Sequence, residues 1–528
     1  MTEAAQVRQP AATRNGSDES TNGSEAPLAH PLMVAALAIA SVAALVARFV
    51  VPTPLWLDEA LSVNIAKLPL GDIAEALRHD GHPPLYYYVL HGWMELFGEG
   101  DRAVRALSGL ISLAALPLAY RVGRRTTGSR LGWLTVAALC LSPFFLRYGS
   151  ETRMYSLVMV LVLAGYLAVL NALEAPRLRW WLIIAGASAA LLWTHYWSLW
   201  FLAAVTALLV VRLVVRWRRR HQLDRATLAV LMSMAAGGVL FLPWVSTMLF
   251  QADRTGTPWA KPFRPATLVV TALTDFSGGP FSEPQVLMLF SVVLLAIGVF
   301  GRGIDDWHID LDLRTQVEAR IPAAVLAMTV GIASVIGLIT RSTFASRYAA
   351  VFYPFYVLLV ALGLDHIRGK VARNVALGVF LVLSLVGLGV AFTFTRSQAE
   401  DVTDSIARSD PGDALVVTCP DQLGPAVLRA VDGRWEVVTY PRFDSAERVD
   451  WVDYAERNED NDPEAFAGEL LERAGDRPIF LVENSSYRTL EGQCPAVISA
   501  LGAARPSSLL VQVSSDDFYE PMNLYRFG

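Results

Sequence analysis

The chain has 528 residues, of which 54% are hydrophobic and only 18% charged, with a mean hydropathy of +0.40. A soluble domain holds about 45–50% apolar and about 25% charged residues, so this balance excludes an ordinary soluble protein and points to an integral membrane protein. The formal net charge of -5 argues against a nucleic-acid partner, which a basic surface would announce.

Residues 1–30 are rich in Ser, Thr, Asn, Glu and Ala and contain no long apolar run. They are expected to form a disordered cytoplasmic tail, not a signal peptide, which needs a basic start and a short apolar core. From Pro31 apolar runs recur, each near the ~20 residues that cross ~30 Å of hydrocarbon as a helix. They lie at 31–51, 103–121, 131–147, 154–173, 180–196, 198–215, 226–249, 284–300, 321–340, 347–364 and 373–394. The segment 84–97 is too short and too aromatic to span, and an interfacial or re-entrant helix is expected there.

Arginines set the orientation. Arg121, Arg124, Arg125 and Arg130, then Arg177 and Arg179, then Arg212 to Arg225, then Arg302, Arg314 and Arg320, then Arg368, Lys370 and Arg373 fall in alternate connections. Cations are enriched on the cytoplasmic side, so these connections and the N-terminus are assigned to the cytoplasm. The odd number of spans then places loop 52–102 and residues 395–528 outside. In loop 52–102, Asp72 is expected to cap a short helix through Leu77. The proline- and glycine-rich 250–283 stretch, with Pro258, Pro262, Pro265, Gly278, Gly279 and Pro280, is expected to be an irregular loop suited to a lid. After residue 395, short runs at Ala414–Thr418, Pro478–Val482 and Ser508–Val513 alternate with polar, helix-compatible stretches, as in a small α/β or α+β domain. The acid-rich stretch Asp444–Asp462 is most simply a solvated loop. Cys140 suits a packed hydrophobe. Cys419 and Cys494 either pair in an oxidising compartment or stay as separate thiols.

Chemistry-bearing residues gather at the outer mouths of the spans. Asp58 and Glu59 follow the first span; buried acids beside hydrocarbon are costly and call for a reason. On extended backbone the two point apart, so they do not form an acid/base pair with each other, and they equally suit the start of a helix near Ala60. His82-Pro83-Pro84 suits a helix start, with His82 either capping, exposed or binding a ligand. Ser150 is a candidate helix cap with Glu151 beside it, which leaves Arg153 unexplained at the mouth of a span. Thr194-His195-Tyr196-Trp197 fits an aromatic interface belt. Arg341 and Arg347 flank a cation-poor turn, where an arginine either snorkels to lipid phosphates or clamps a substrate phosphate. No Walker or dinucleotide glycine loop, His-Glu-x-x-His zinc motif or zinc-spaced cysteine set is present.

Leu57-Asp58-Glu59-Ala60, Asp80-Gly81-His82-Pro83-Pro84-Leu85-Tyr86-Tyr87 and Ser150-Glu151-Thr152-Arg153-Met154-Tyr155 together resemble the polytopic C-type (GT-C) glycosyltransferases. The nearest branch is that of the bacterial relatives of protein O-mannosyltransferases and lipid A aminoarabinose transferases. Thr194-His195-Tyr196 and Arg347-Tyr348 with Pro354 are similar to segments of the same branch. The resemblance covers residues 31–394. It implies an α-helical polytopic membrane protein of about eleven transmembrane helices, here followed by a small extracytoplasmic α/β domain at 395–528 that carries no such resemblance. The implied reaction moves a sugar, hexosyl or pentosyl, from a polyprenyl-phosphate donor to an envelope glycan, glycolipid or protein by inverting displacement. Asp58 is implied as the base and Arg153 and Arg347 as holders of the leaving phosphate. Glu59, His82 and Glu151 are implied to shape the pocket, with His195 and Tyr348 among the substrate-binding residues. No cofactor is expected; relatives differ in their need for a divalent metal, and acids are too sparse in the outer loops to favour one. A transporter or flippase, with charges lining a path, and a polymer-binding membrane scaffold are the alternatives.

Overall fold

A computed structural model describes residues 28–255, 263–279, 282–340, 343–409, 412–485, 487 and 490–528. The tail expected at 1–30 therefore lies outside the described residues as far as residue 27, and so do Pro258, Pro262, Pro280 and Arg341.

The chain is a multi-pass membrane protein. Helix α1 (Pro31–Ala47) leads into three short helices of the first loop, α2 (Leu57–Ala66), α3 (Leu70–Asp80) and α4 (Leu85–Phe97). There follow α5 (Asp101–Thr126), α6 (Ser129–Cys140), α7 (Pro143–Gly149), α8 (Tyr155–Glu174), α9 (Leu178–Thr194), α10 (Ser198–Arg220) and α11 (Arg225–Arg254). Next come α12 (Pro265–Phe276), α13 (Ser282–Phe300), a hairpin of β1 (Gly301–Gly303) and β2 (Ile309–Leu311), α14 (Arg320–Thr340), α15 (Tyr353–His366) and α16 (Lys370–Thr393). Each of the apolar runs seen in the sequence carries a helix. Among the described residues six are long and apolar enough to cross a membrane: α5, α8, α10, α11, α14 and α16. The α6–α7 pair, bent by 63°, makes a seventh if it is counted as one span, and α1, α9, α13 and α15 are shorter apolar helices.

Two expected spans are broken, both at proline. Pro143 has no N–H to continue α6, and Ser142 Oγ instead accepts from the Phe145 N–H to start α7. Pro354 likewise prevents one continuous helix over 347–364, so a 3-10 turn at Ser346–Val351 precedes α15 and carries Arg347. Three loop expectations also change. The 250–283 stretch is largely helical where described: α11 runs on to Arg254, and Pro265 starts α12. Helix α3 starts at Leu70 with Pro69 at its N-cap, so Asp72 lies within the first turn rather than capping, while Ile73 and Leu77 are buried. Ser150 does not cap α8, which begins only at Tyr155; its hydroxyl bonds back to the Leu146 carbonyl.

Beyond α16 the chain forms a layered α/β unit. Strand β3 (Thr395–Ser397) pairs in parallel with β8 (Phe518–Glu520), 120 residues later. The main sheet has the order β5-β4-β6-β9-β7, built from β4 (Leu415–Cys419), β5 (Glu436–Thr439), β6 (Ile479–Glu483), β7 (Ser507–Val511) and β9 (Asn523–Phe527). Strands β4, β5 and β6 are parallel, and β9 and β7 are added antiparallel. One face is covered by Val402 and Ile406 of α17 (Ala399–Ser409) and Val427 of α18 (Gly424–Val431). The other is covered by Leu470 of α20 (Pro463–Ala474) and Val497 of α21 (Gln493–Ala504), with the short α19 (Tyr454–Arg457) between the two layers in sequence. Strands β4 and β6 are buried along their whole length, which is why they appear in the sequence as unbroken apolar runs rather than alternating ones.

The acid-rich 444–462 stretch is not a free solvated loop. Asp450 bonds the His79 ring at 2.9 Å, the Trp451 N–H donates to the His79 carbonyl at 3.0 Å, and Asp453 pairs with Arg254 at 2.9 Å. These contacts strap it across α3 and the end of α11. Cys419 and Cys494 form a disulfide that ties the end of β4 to the start of α21, and Cys140 is a buried free thiol. Replacing Cys419 and Cys494 by Ser is expected to lower the unfolding free energy of this unit by about 2–5 kcal/mol. Denaturant unfolding of the two forms checks the loss, and non-reducing electrophoresis confirms that the wild type carries the bridge.

Candidate active site

Asp58 and Glu59 lie in the first turn of α2, not on extended backbone before it. The positive end of a helix favours acids there, and about 100° of rotation per residue sends the two side chains different ways. Glu59 turns inward and is fully buried. Arg105 of α5 grips it with Nε at 2.8 Å and Nη2 at 2.6 Å, Arg396 of β3 adds a contact at 3.1 Å, and the Thr152 N–H donates at 2.9 Å. Burial alone would raise this carboxyl, but the two guanidinium groups outweigh it and hold it well below the usual carboxylate range. Glu59 thus joins four segments and does not line the cavity beside Asp58.

Asp58 faces that cavity, which encloses about 320 Å³. Its Oδ2 lies 3.3 Å from an Arg347 nitrogen and 3.9 Å from an Arg153 nitrogen, yet no protein donor meets it at hydrogen-bonding geometry. The membrane part supplies Asp58, His82, Arg153, Arg347 and Tyr348 to the walls. The C-terminal unit supplies Gln422, Trp451, Tyr487 and Tyr519. Trp451 packs with Trp56, Leu57 and Leu61, so the roof is seated directly on α2.

Arg153 is held on several sides. It donates to Ser62 Oγ at 3.0 Å, Tyr87 Oη at 3.2 Å, the Asp58 carbonyl at 3.3 Å and His82 Nε2 at 2.9 Å. A guanidinium can only donate, so His82 Nε2 accepts and the ring proton resides on Nδ1, which donates to Asp80 at 2.8 Å. Asp80 also accepts from Tyr87 at 3.2 Å. Burial works against its charge, but His82, Arg153 and Tyr87 outweigh it and keep the carboxyl below its usual range. His82 is therefore neither a helix cap nor simply exposed. Gly81 makes the turn into it, ending α3 with φ +91°, where a Cβ would also press on Thr255 Oγ1 at 3.0 Å.

Two further candidates sit behind the cavity wall. Glu151 is fully buried and neither of its oxygens meets a hydrogen-bond donor; its nearest ion partner is Arg147 at 4.0 Å. Burial pushes its carboxyl up, against the pull of Arg396 and Arg147. His195 is buried between the rings of Tyr155 and Tyr348, and its Nδ1 accepts the Trp197 N–H at 3.1 Å. It supports Tyr348 from behind and does not line the cavity. A second cavity, of about 800 Å³, lies on the other side of Tyr519 among α7, α12, α16 and β8. Arg147 lies in its wall, 4.6 Å over the Tyr519 ring and 3.9 Å from Asp275, which also accepts from Tyr148 at 2.9 Å. Among the described residues no group of three or more His, Cys, Asp or Glu side chains is placed to hold a metal ion.

Sequence reasoning missed Arg105, Arg396 and Glu520. Arg105 opens an apolar span on the cation-poor side, and a charge in that position asks for a partner; that signal was available. Arg396 has the same signal after the last span. Glu520 has none, because its contact is with Leu57, 463 residues away.

Comparison with known proteins bears on the fold. The structure aligns with ArnT from Cupriavidus metallidurans bound to undecaprenyl phosphate with TM-score 0.55, over 94% of this chain and 97% of that one, at 14% identity. The apo form of the same protein gives TM-score 0.56 at 13% identity, with the same coverage. The chain thus has the polytopic C-type glycosyltransferase fold. Residues 81–247, under a third of its length, match the family model described as dolichyl-phosphate-mannose-protein mannosyltransferase. That stretch contains His82, Glu151, Arg153 and His195; Asp58 and Arg347 lie outside it. None of the curated proteins matches the chain by sequence.

Glu59→Gln leaves Arg105 and Arg396 buried with weaker partners, and is expected to cost about 3–5 kcal/mol, the usual loss on breaking one side of a buried ion pair. Thermal unfolding of the purified variant in detergent, compared with wild type, checks this; an unchanged midpoint refutes it.

Proposed function

We propose that the protein is a membrane glycosyltransferase that passes a sugar from a polyprenyl-phosphate donor to a hydroxyl of a cell-envelope acceptor. The observation that carries this reading is the Asp58 carboxylate in the wall of a cavity, with its Oδ2 3.3 Å from Arg347 and 3.9 Å from Arg153. The shared fold with an undecaprenyl-phosphate-bound transferase supports it, as does the mannosyltransferase family match.

In this mechanism the acceptor oxygen bonds to the anomeric carbon from one face while the bond to the phosphate oxygen breaks on the other, inverting the centre. The acceptor proton passes to Asp58, and the electron pair leaves with the polyprenyl phosphate. Arg347 is the more accessible of the two arginines, with 13% of its side chain exposed against 2% for Arg153. It therefore takes the developing phosphate charge, while Arg153 fixes the distance between Asp58 and His82. A guanidinium offers paired donors suited to phosphate oxygens. With two fixed cations at the reacting centre, charge stabilisation needs no metal, and transfer should persist in EDTA. The lipid chain needs an apolar berth. A cavity of about 320 Å³ lined by Tyr166, Leu191, Phe201, Leu209, Met234 and Val325, with Arg212 and Arg320 also in its wall, is apolar enough to take part of it.

The reading includes an orientation, with the catalytic cavity outside the cytoplasm. The arginine-rich connections gather away from it: Arg130 pairs with Asp365, Arg125 with Asn171, and Arg368 with the Ile304 carbonyl. Cytoplasmic loops carry the excess of cations, and the Cys419–Cys494 bridge suits an oxidising compartment.

Incubation of purified protein with radiolabelled polyprenyl-phosphate sugars and a membrane extract tests the reading and reports donor and acceptor class together. Asp58→Asn is expected to bind donor normally but to lose at least the roughly 10²–10⁴-fold that a positioned base contributes; full transfer by this variant would sink the mechanism.

A further inference from the structure

Helix α2 starts without a cap of its own. Its N-cap residue is Trp56, whose side chain makes no capping hydrogen bond, and an indole has no acceptor to offer. The first N–H of the helix, at Leu57, is nevertheless satisfied by Glu520 Oε1 at 3.2 Å. The other carboxylate oxygen accepts from Ser397 Oγ at 2.7 Å, and the same serine receives the Ala399 N–H at 3.3 Å at the start of α17. Glu520 is buried, and its backbone is fixed by the parallel pairing of β3 with β8 and by the Gln398 N–H, which donates to its carbonyl at 3.1 Å. A short strand of the C-terminal unit therefore reaches the helix end that carries Asp58. On the same strand Tyr519 packs edge-on against Trp56 with ring centroids 4.9 Å apart.

The acid is arranged to hold this one helix end. A side-chain oxygen at a helix N-terminus satisfies an N–H group that the helix itself leaves unpaired. Both Glu520 oxygens are spent on Leu57 and Ser397, and the side chain does not line the cavity, so it does not reach substrate. Asp58 is the next residue after Leu57, so movement of the first turn of α2 moves the proposed base relative to Arg347, whose backbone lies on the 3-10 turn before α15. We propose that Glu520 is a positioning residue for sugar transfer. It acts through the Leu57 N–H to fix the first turn of α2, and thereby makes the C-terminal unit part of the catalytic apparatus rather than only its roof. This inference rests on the transferase reading above.

Glu520→Ala and Glu520→Gln in the full chain test it. Glutamine keeps an oxygen for the Leu57 N–H, whereas alanine leaves that N–H unpaired and removes the acceptor of the Ser397 hydroxyl. Glu520→Ala should lower kcat by about 100-fold, the scale expected when a reacting group is misplaced by about 1 Å. The donor KM should stay within about threefold, because the loss falls on the transition state. Glu520→Gln should recover kcat to within about tenfold of wild type. Amide hydrogen exchange supplies a readout that needs no activity: Leu57 to Leu61 should exchange faster in Glu520→Ala, while β4 and β6 keep wild-type protection. Wild-type kcat in Glu520→Ala, a loss that glutamine does not recover, or unchanged exchange in α2 overturns the inference. Absence of transfer by wild-type protein with every donor instead defeats the functional reading, and exchange in α2 still reports whether Glu520 holds the helix.

Discussion

The contact on which the site depends is the buried Glu59 carboxylate between Arg105 and Arg396. Charges removed from water must be compensated locally or they destabilise the fold. Here one acid is met by two guanidinium groups and a backbone N–H, arriving from α5, from β3 and from the turn before α8. Arg396 in turn donates to the Ser150 and Arg147 carbonyls at 3.0 and 3.2 Å. The first loop, the membrane bundle and the C-terminal unit are thus referenced to one point, one residue away from Asp58. Of two adjacent acids, one is committed to the frame and the other is left facing the cavity.

Arg153 and Arg347, which the sequence presents as a matched pair, differ in kind once placed. Arg153 spends its donors on Ser62, Tyr87, His82 and the Asp58 carbonyl, groups that do not leave. Arg347 sits on a 3-10 turn, 5.6 Å from the Trp56 ring and 5.8 Å from the Tyr348 ring, in the cavity wall. An arginine bonded to fixed partners sets distances; in the transferase reading Arg347, beside Asp58 in the cavity wall, is the one placed to meet a phosphate. The same distinction separates His82, fixed between Asp80 and Arg153, from His195, which only props an aromatic layer.

Much of the membrane architecture was legible because length and apolarity are direct consequences of the bilayer. The grouping of Asp58, His82, Arg153, Arg347 and Tyr348 was legible through motifs at the outer ends of those runs. What was lost was of three kinds. Helix starts were misjudged at Asp72 and Ser150, because capping is decided by backbone geometry that a favourable residue type does not guarantee. Helix α12 was hidden by the prolines around it, although Pro265 is the residue that starts it. The Asp444–Asp462 stretch looked solvated because its partners, His79 and Arg254, lie far away in sequence. Glu59 and Glu151 were assigned to the pocket because a motif marks a neighbourhood without saying which way each side chain points.

The join between β8 and α2 also carries a consequence in time. Synthesis proceeds from Leu57 to Glu520, and a strand that pairs with β3 across 120 residues cannot form until those residues have been made. Through the insertion of every spanning helix, the α2 terminus therefore lacks its distant acid and Arg396 has yet to reach Glu59. The growing chain passes the lipid-facing stages of its assembly with the reactive end unfinished. The cavity is complete only once the C-terminal unit, the last part to be made, stands on α2.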